Sequence, residues 1–555
     1  MSTTTNPYDD PSALVPLPSP LVSAPSTLFR TGPGEFYSEV SVFVNLDDFN
    51  AAWSISLSRL ETAVIEALQF TAEAPTVQEL KDSLWGFSAE ELAQISRAIE
   101  RLWECGLLLQ TAQEEKRLGN EASVQSSRRI SGYLRTQVDA RTSQVLREKL
   151  ARWAAERPFY GEKFADLSIE ELSVDSLSQV PILTKDEARS NLPGILSPRL
   201  ANYQVEWRGS SGTTDERFQA AHDAGSGNPW SGEARSINRH YRVYPSSVLT
   251  TPVCSGTECH AEMELPFEQR RNPRGDRGFL YFFFNSGMNP TAFPEAKLQA
   301  IYDELQEHKP TRLTANAAYL AGFVYWARKK NLAPPKLDVV WAGFEVPSRI
   351  HKRAIQDYFG CRVFETYGLT EAGGELAIQC EAGGNLHFVP WEYLFEVLDD
   401  DGQPVPAGEA GTIHLTTLKK EFTPLVRYNT GDRGIARGAC ECGCPLPAIG
   451  LVEGRQKDMI RSTTGQCIYP RQLDRHLSQV ATGIGWYQLQ QTGDEHYRLW
   501  VVPEGDFDAP EQGAVQDALI SLLGPKAELA IDTTRSLSPS MSGKFRLSYR
   551  TDQVQ

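Results

Sequence analysis

Beyond about residue 129, helical stretches alternate with short apolar runs that end in glycine or turn residues. LDVVWAG, GCRVFETYG and GTIHLTTL are the clearest of these runs. Apolar runs this short, set between helix-period segments, are what buried strands of βαβ units look like, so this part of the chain is constrained to an α/β architecture. From about Gln456 the pattern changes. HYRLWVVPE followed by GAVQDALISLLG reads as a small C-terminal α+β domain. A chain of 555 residues has room for three or four domains at roughly 150 residues each.

Charge narrows the function classes. Lys plus Arg number 55 against 71 Asp plus Glu, a formal net charge of -16. A global nucleic-acid or anionic-membrane binder needs a cationic face, so neither partner is expected. A local basic pocket for a phosphate remains compatible with that balance. No stretch approaches the roughly 20 apolar residues of a membrane span. The opening MSTTTNPYDDPSALVPLPSPLVSAPS lacks the basic and apolar regions of a signal peptide, so a cytoplasmic protein is expected.

Residues 1–34 are rich in Ser, Thr and Pro and read as a disordered tail. Residues 35–113 open with a short strand, FYSEVSVFVNL. The pattern turns helical from Ser58, where Leu60, Val64 and Leu68 share a face. A second short helix follows Pro75, and Ser88 with Glu91 forms a capping box that starts a third. Gly106 stops that helix and Leu107–Leu109 reads as a strand. Three helices and a strand resemble a winged-helix module, but the third helix, SAEELAQISRAIERLWEC, is acidic on balance. A helix entering a DNA groove should be basic, so a peptide- or protein-docking role, or a purely structural one, is expected here. A polar segment from Glu114 to Arg128 reads as a linker or an exposed helix.

Four separated segments carry chemistry together. The first is Arg208-Gly209-Ser210-Ser211-Gly212-Thr213-Thr214, whose small and hydroxyl-bearing residues suit a turn that approaches phosphate oxygens. The second is Phe364-Glu365-Thr366-Tyr367-Gly368-Leu369-Thr370-Glu371. The third is Leu425-Val426-Arg427-Tyr428-Asn429-Thr430-Gly431-Asp432. The fourth is Gly454-Arg455-Gln456-Lys457-Asp458-Met459-Ile460, followed far downstream by Ser542-Gly543-Lys544-Phe545-Arg546.

In this order, SSGTT, YGLTE, RYNTGD, GRxxDMI and GKxR resemble the adenylate-forming (acyl-CoA synthetase, AMP-binding) superfamily, in its phenylacetate–CoA ligase-like branch. The resemblance covers roughly residues 120 to 555. It implies a multidomain α/β fold with a large core over 114–455 and a small α+β C-terminal lid over 456–555, to which the winged-helix-like domain is added. It implies a two-step reaction: a carboxylate attacks the α-phosphate of ATP, then a thiol or amine displaces AMP. Carried over by position, Ser210, Ser211, Thr213 and Thr214 form the phosphate loop, and Tyr367, with Gly368 beside it, stacks on adenine. Thr370 contacts phosphate and Glu371 holds Mg²⁺. Asp432 accepts both ribose hydroxyls, which suits a carboxylate's two oxygens. Arg455 reaches the ribose or phosphate, Lys457 sits at the hinge, and Lys544 swings in as the cation for adenylation. Taken singly, Tyr367 is also an ordinary core aromatic, Glu371 an acid favoured by a helix N-terminus and Lys544 a solvated lysine.

The sequence departs from the family pattern in two places. After the two threonines the family usually continues Gly-Lys-Pro, whereas this chain continues Asp215-Glu216-Arg217. Acids beside a triphosphate repel it unless a cation compensates. Ala342-Gly343-Phe344-Glu345 stands where the family typically has Gly-Gly-Glu.

Nine cysteines need a separate account. In a reducing compartment they read as core residues, metal ligands or catalytic groups rather than disulfides. Cys440-Glu441-Cys442-Gly443 resembles a Cys-x-Cys-Gly turn of the branch, and Cys254 and His260 form a second short pair. Zinc favours four thiolate or imidazole ligands, so Cys254, His260, Cys440 and Cys442 are the expected set, with Cys259, Cys380 and Cys444 as replacements. Cys105, Cys361 and Cys467 read as core residues.

The acyl pocket is expected near YGLTE, with Tyr241, Trp341, Ala342, Gly343 and Phe344 as candidates for an aryl acid. The leading expectation is ATP-dependent activation of a small carboxylic acid, with CoA or a carrier-protein thiol as acceptor. The alternatives are transfer to an amine, with a peptide or protein docked by the N-terminal domain, and a pseudo-ligase scaffold. A homodimer is compatible with each.

Overall fold

The computed structural model describes residues 120–203, 205–209, 218–223, 289–309, 312–380, 384–441, 446–540 and 544–551, and elsewhere only short strands, residues 87–95 with the short helix Ala89–Leu92, and scattered positions. The expected phosphate loop at Ser210, Ser211, Thr213 and Thr214 lies outside the described residues. So do Asp215, Glu216, Arg217, Tyr241, Cys105, Cys254, Cys259, His260, Cys442, Cys444 and most of the winged-helix-like region.

The chain divides into two compact units. One comprises Met1–Gln144, Asn238–Val243 and Ala439–Pro447; the other comprises Val145–Ile237, Tyr244–Gly438 and Ala448–Gln555. In the first unit, Glu39–Asn45 pairs antiparallel with Ala52–Ser58. The capping box read from sequence is formed: Glu91 N–H donates to Ser88 Oγ at 3.2 Å, and Ser88 N–H donates to Glu91 Oε2 at 2.8 Å. Val15–Pro16 pairs with Leu108–Leu109, so one dipeptide of the tail expected to be unstructured takes part in a ladder. Ladder bonds there satisfy backbone groups that a free tail leaves to water.

The second unit is built on a nine-stranded mixed sheet. Its strands are β1 (Val248–Thr251), β2 (Phe267–Arg271), β3 (Gly278–Phe282), β4 (Arg312–Asn316), β5 (Val339–Gly343), β6 (Arg362–Leu369), β7 (Gly374–Gln379), β8 (Asn385–Phe388) and, later in the chain, Ala448–Gly450. The order is Ala448–Gly450, β8, β7, β6, β5, β4, β1, β3, β2. The pairs β1–β3, β1–β4, β4–β5 and β5–β6 are parallel. Helices fill the crossovers: α1 (Glu295–His308), α2 (Ala317–Lys329) and α3 (Arg349–Phe359). The α/β expectation therefore holds, and its reason is visible in β5, where all five residues of VVWAG are buried. A parallel strand covered on both faces needs a continuous apolar run.

The helix ends follow local chemistry. Asn316 Oδ1 caps α2 by accepting from Ala318 N–H at 2.9 Å, and Ser348 Oγ caps α3 by accepting from Ile350 N–H at 3.1 Å. Gly360, at φ 64°, closes α3 in the left-handed conformation.

A second, antiparallel sheet holds Leu394–Leu398 (β9), Ala410–Thr416 (β10), Tyr428–Ile435 (β11) and Gly454–Arg455 (β12), in that order. The C-terminal segment forms a four-stranded sheet from Ile484–Gln491, His496–Pro503, Glu528–Thr533 and Ser548–Arg550, with helices Pro470–Val480 and Ala509–Leu523. This α+β segment packs on α2 and α3. Trp486 sits edge-on to Tyr325 with ring centroids 4.8 Å apart. Buried Asp474 accepts from Ser348 Oγ at 2.6 Å, from Arg349 N–H at 2.9 Å and from the Tyr487 hydroxyl at 2.8 Å. Three donors on one buried carboxylate are what its desolvation requires.

Among the described residues no helix is long and apolar enough to cross a membrane. One reading of the cysteines is corrected: Cys467, expected in a core, is exposed. It sits on the two-residue strand Cys467–Ile468, where alternation turns Ile468 inward and Cys467 outward.

Candidate active site

The site forms where β5 and β6 end at their carboxyl termini, the edge at which open α/β sheets bind ligands. A cavity of about 930 Å³, open to solvent, lies there. It is lined by Tyr367 and Gly368 from β6, Asp432 from β11, Arg455 from β12, and Lys457 and Lys544 from the C-terminal segment. Four of the five motifs read from the sequence therefore contribute to one place in the fold. They converge because β11 and β12 pair with Asp432 directly opposite Arg455.

The polar geometry is specific. Asp432 accepts the Tyr367 hydroxyl on Oδ2 at 2.8 Å and faces Arg455 Nε from Oδ1 at 3.3 Å. Burial, with the Asp432 charge beside it, holds the Tyr367 hydroxyl well above its ordinary range, so it stays a proton donor. Tyr428 donates to Glu371 Oε1 at 3.2 Å. Thr370, Glu371 and Ala372 form the short turn that follows β6. The paired strands Val205–Gly209 and Gln219–Asp223 flank the expected phosphate loop and lie against this turn. A side chain at Gly368 would put its Cβ 2.3 Å from Gly374 O, so β6 and β7 can close this tightly only around glycine.

Cations gather here despite the acidic chain. Lys544 faces Arg455, Asp432, Glu345 and Glu371; burial and Arg455 push its ammonium down to about 7, while the carboxylates pull the other way. Lys457 is lowered to about 8 by burial and by Arg455. Burial also lowers Lys185, and Glu371 opposes it. Arg546 grips Asp458 Oδ1 through Nε at 2.6 Å and donates to Lys457 O at 3.2 Å. Such a cluster is unfavourable when empty and is favoured by a bound polyanion.

Of the acyl-pocket candidates, Trp341, Ala342 and Gly343 are buried within β5, and the cavity wall begins at Phe344. Phe344 is 41% exposed and sits at φ 74°. That left-handed backbone costs a bulky residue about 1–3 kcal/mol, and it explains why a glycine is the easier choice at this turn.

Several groups at the site were not singled out from the sequence. Glu365 is buried in a fork from Arg471, with Nη1 to Oε1 at 3.1 Å, and Lys352 Nζ reaches the same Oε1 at 2.9 Å. Glu345 accepts the Phe545 N–H on Oε2 at 2.6 Å, and Lys185 joins the cationic face. Lys185 was hidden inside a Thr-x-x-Glu capping box, Thr184 to Glu187, that signals only a helix start.

For the metal, Cys380 and His387 are buried, with sulfur and ring nitrogen within 4.8 Å. They come from the β7–β8 hairpin, where Ile378 pairs with His387 and the Cys380 N–H bonds Asn385 O, which leaves them diagonal neighbours. Cys440 is also buried. Thiolate with imidazole is a donor set that suits zinc.

Comparison with known proteins agrees with this geometry. Residues 277–417 match the family model for the AMP-binding enzyme. A phenylacetate-coenzyme A ligase of Thermus thermophilus is 29% identical over 37% of this chain and 45% of its own length. One of Pseudomonas putida is 22% identical over 64% of this chain and 76% of its own. The chain thus spans less than half the length of the first of these curated relatives. Two crystal structures of 2-hydroxyisobutyryl-CoA ligase in the postadenylation state superpose with TM-scores of 0.57 and 0.59. Each is 18% identical and covers 75% of this chain and 90% of its own. At that identity the structural likeness carries the fold alone. Motif order, site geometry and these matches together make the chain similar to the adenylate-forming, AMP-binding superfamily and to its phenylacetate–CoA ligase-like branch.

Proposed function

We propose that this protein activates a small carboxylic acid with ATP as an acyl-adenylate and passes the acyl group to the thiol of CoA. The observation that carries the reading is the meeting of Tyr367, Asp432, Arg455 and Lys544 around one cavity. In this reading Asp432 exchanges part of its present bonding for the ribose hydroxyls of the nucleotide. Tyr367 covers the adenine, and Gly368 lets it approach. Thr370 and the loop at Ser210, Ser211, Thr213 and Thr214 contact phosphate. Glu371 is the ligand for Mg²⁺, which supplies charge neutralisation on the phosphates when bound. Lys544 and Arg455 face the charge that develops as the carboxylate attacks the α-phosphate. Lys457 is the hinge from which the C-terminal segment turns between the two steps.

The acid is read as a small one, with aryl acids as the first candidates. Phe344 is the wall residue that meets it, while Trp341, Ala342 and Gly343 shape the sheet behind that wall. Carrier-protein and amine acceptors are the other outcomes of an acceptor test. Asp215 and Glu216 weaken ATP binding unless Arg217 or Mg²⁺ offsets them. The first test is acid-dependent pyrophosphate release across a panel of aliphatic and aryl acids. Release with one class of acid is expected; no release with any acid, together with no ATP binding, contradicts the reading and leaves a scaffold.

We also propose a structural zinc. Cys440 and Cys442 offer one short ligand pair, Cys254 and His260 a second, and Cys380 and His387 a third. Elemental analysis of the purified protein should find zinc near one equivalent. The three paired variants, Cys440→Ser/Cys442→Ser, Cys254→Ser/His260→Ala and Cys380→Ser/His387→Ala, then identify the pairs whose loss removes it. Metal-free wild-type protein contradicts the proposal.

A further inference from the structure

Strand β5 ends at Gly343, and the left-handed turn at Phe344 directs the chain out of the sheet. A Cβ on Gly343 would lie 2.4 Å from Thr366 Oγ1, so this exit runs close against β6. Glu345 follows at once and enters the cavity. There its Oε2 accepts the backbone N–H of Phe545 at 2.6 Å, across 200 residues of sequence. Phe545 is the neighbour of Lys544.

The other hydrogen bonds on this segment come from the C-terminal segment itself, while the Phe545 ring meets His351 of α3 edge-on with centroids 6.2 Å apart. Ser540 N–H donates to Lys544 O at 2.8 Å. Arg546 grips Asp458 at 2.6 Å, and Ser548 Oγ donates to Asp458 O at 2.7 Å. Those bonds set the shape of the segment and tie it to the hinge, and they can travel with it. The Glu345 bond cannot, because its acceptor belongs to the sheet core. Among the described residues, Glu345 is the core group hydrogen-bonded beside the lysine.

We propose that Glu345 is the positioning residue for Lys544: a core carboxylate that latches the lysine-bearing segment into the cavity for acid activation and releases it for acyl transfer. The inference rests on the two-step function proposed above and adds to it the group that decides when the lysine is in place. The surroundings favour a strong but breakable latch. Burial pushes the Glu345 carboxyl up to about 8, against the pull of Asn316, the Phe545 N–H and Lys544. A bond to a desolvated acceptor is strong while made, and it is a single bond, so it can break as the segment moves.

The experiment compares wild type with Glu345→Ala and Glu345→Gln by two readouts. The first is amide hydrogen exchange without substrate. In Glu345→Ala the peptide over 544–548 should exchange about 2- to 10-fold faster, the worth of one bond to a carboxyl that burial keeps largely neutral, while peptides from α1, Glu295–His308, stay unchanged. The second is the pair of half-reactions. Pyrophosphate release should fall by a similar factor in Glu345→Ala, while thioester formation from supplied acyl-adenylate stays within about twofold, since no latch is needed for it. Glu345→Gln keeps an acceptor oxygen of the same reach and should recover most of both losses, and its similar size secures the comparison if the alanine variant folds poorly. Unchanged exchange over 544–548 overturns the latch, and so does an equal loss in both half-reactions. If wild type makes no adenylate from any acid while Glu345→Ala still frees the segment, the latch stands and the proposed function fails.

Discussion

Removing Arg471 should cost more stability than removing any other cation near the cavity. Glu365 is 5% exposed and Arg471 6%, so their pair sits in protein rather than in water. Arg471 spends both Nη atoms on the two oxygens of Glu365 and its Nε on Val452 O at 2.7 Å. Arg471→Met keeps the apolar stem and removes all three bonds. Breaking a buried pair by deleting one partner costs about 3–5 kcal/mol, because the other charge is left unpaired. Lys352 still faces Oε1 at 2.9 Å, so the lower end, about 3 kcal/mol, is expected. Lys352→Met leaves the fork intact, and Lys352 itself is 16% exposed, so about 1–1.5 kcal/mol is expected, near the low end for a bond to a charged group.

The pH dependence follows from Glu365. Burial raises its carboxyl, but Arg471 and Lys352 more than reverse this and hold it below the ordinary range. A folded value below the unfolded one contributes stability that is present above about pH 4.3 and lost as pH falls through the folded value. The difference between wild type and Arg471→Met should therefore be full at pH 7 and shrink below about pH 4. Urea unfolding followed by tryptophan fluorescence reads it, with Trp341 and Trp486 in the same unit. A cost under about 1 kcal/mol for Arg471→Met, or a larger cost for Lys352→Met, would refute the reasoning.

Three further outcomes can be checked directly. Lys544→Ala should lower adenylate formation by at least about 100-fold, as loss of a transition-state charge partner does, and leave thioester formation from supplied acyl-adenylate within a few-fold; equal losses contradict the role. Because Lys544 is a cation only below about pH 7 in the empty site, kcat/KM for adenylation should fall as pH rises through that value, and Lys544→Arg should abolish that limb. Asp432→Ala should weaken AMP binding about 10- to 100-fold by calorimetry, and Tyr367→Phe should have a smaller effect, since it removes one neutral donor; unchanged affinity in Asp432→Ala removes Asp432 from the nucleotide site.

The strand ends were legible because YGLTE, RYNTGD and GRxxDMI each couple a short apolar run to a polar tip. The ladder that sets Asp432 opposite Arg455 is a pairing between segments, and no local pattern encodes it. Trp341 and Ala342 illustrate a different limit. In a central parallel strand both faces are buried, so an aromatic in the run says nothing about which residue lines the cavity; the first residue past the strand end, Phe344, does. Glu345, Glu365 and Arg471 escaped because a buried charge is recognised only by its partner, and the Glu345–Phe545 and Glu365–Arg471 contacts span 200 and 106 residues. The cysteines divide the same way. Cys380 and His387 stand seven residues apart but meet through a hairpin whose register the spacing does not give.

The central claim is that one cavity joins a carboxylate to AMP and then releases it to a thiol. Trapping the intermediate tests this most directly. Stoichiometric protein with ATP, Mg²⁺ and the best acid of the panel is quenched and analysed by mass spectrometry, before and after CoA is added. The account predicts an acyl-AMP that depends on both ATP and acid, is consumed on adding CoA as AMP and acyl-CoA appear, and is absent in Lys544→Ala at the same time point. ATP hydrolysis or binding with no acyl-AMP for any acid would contradict it.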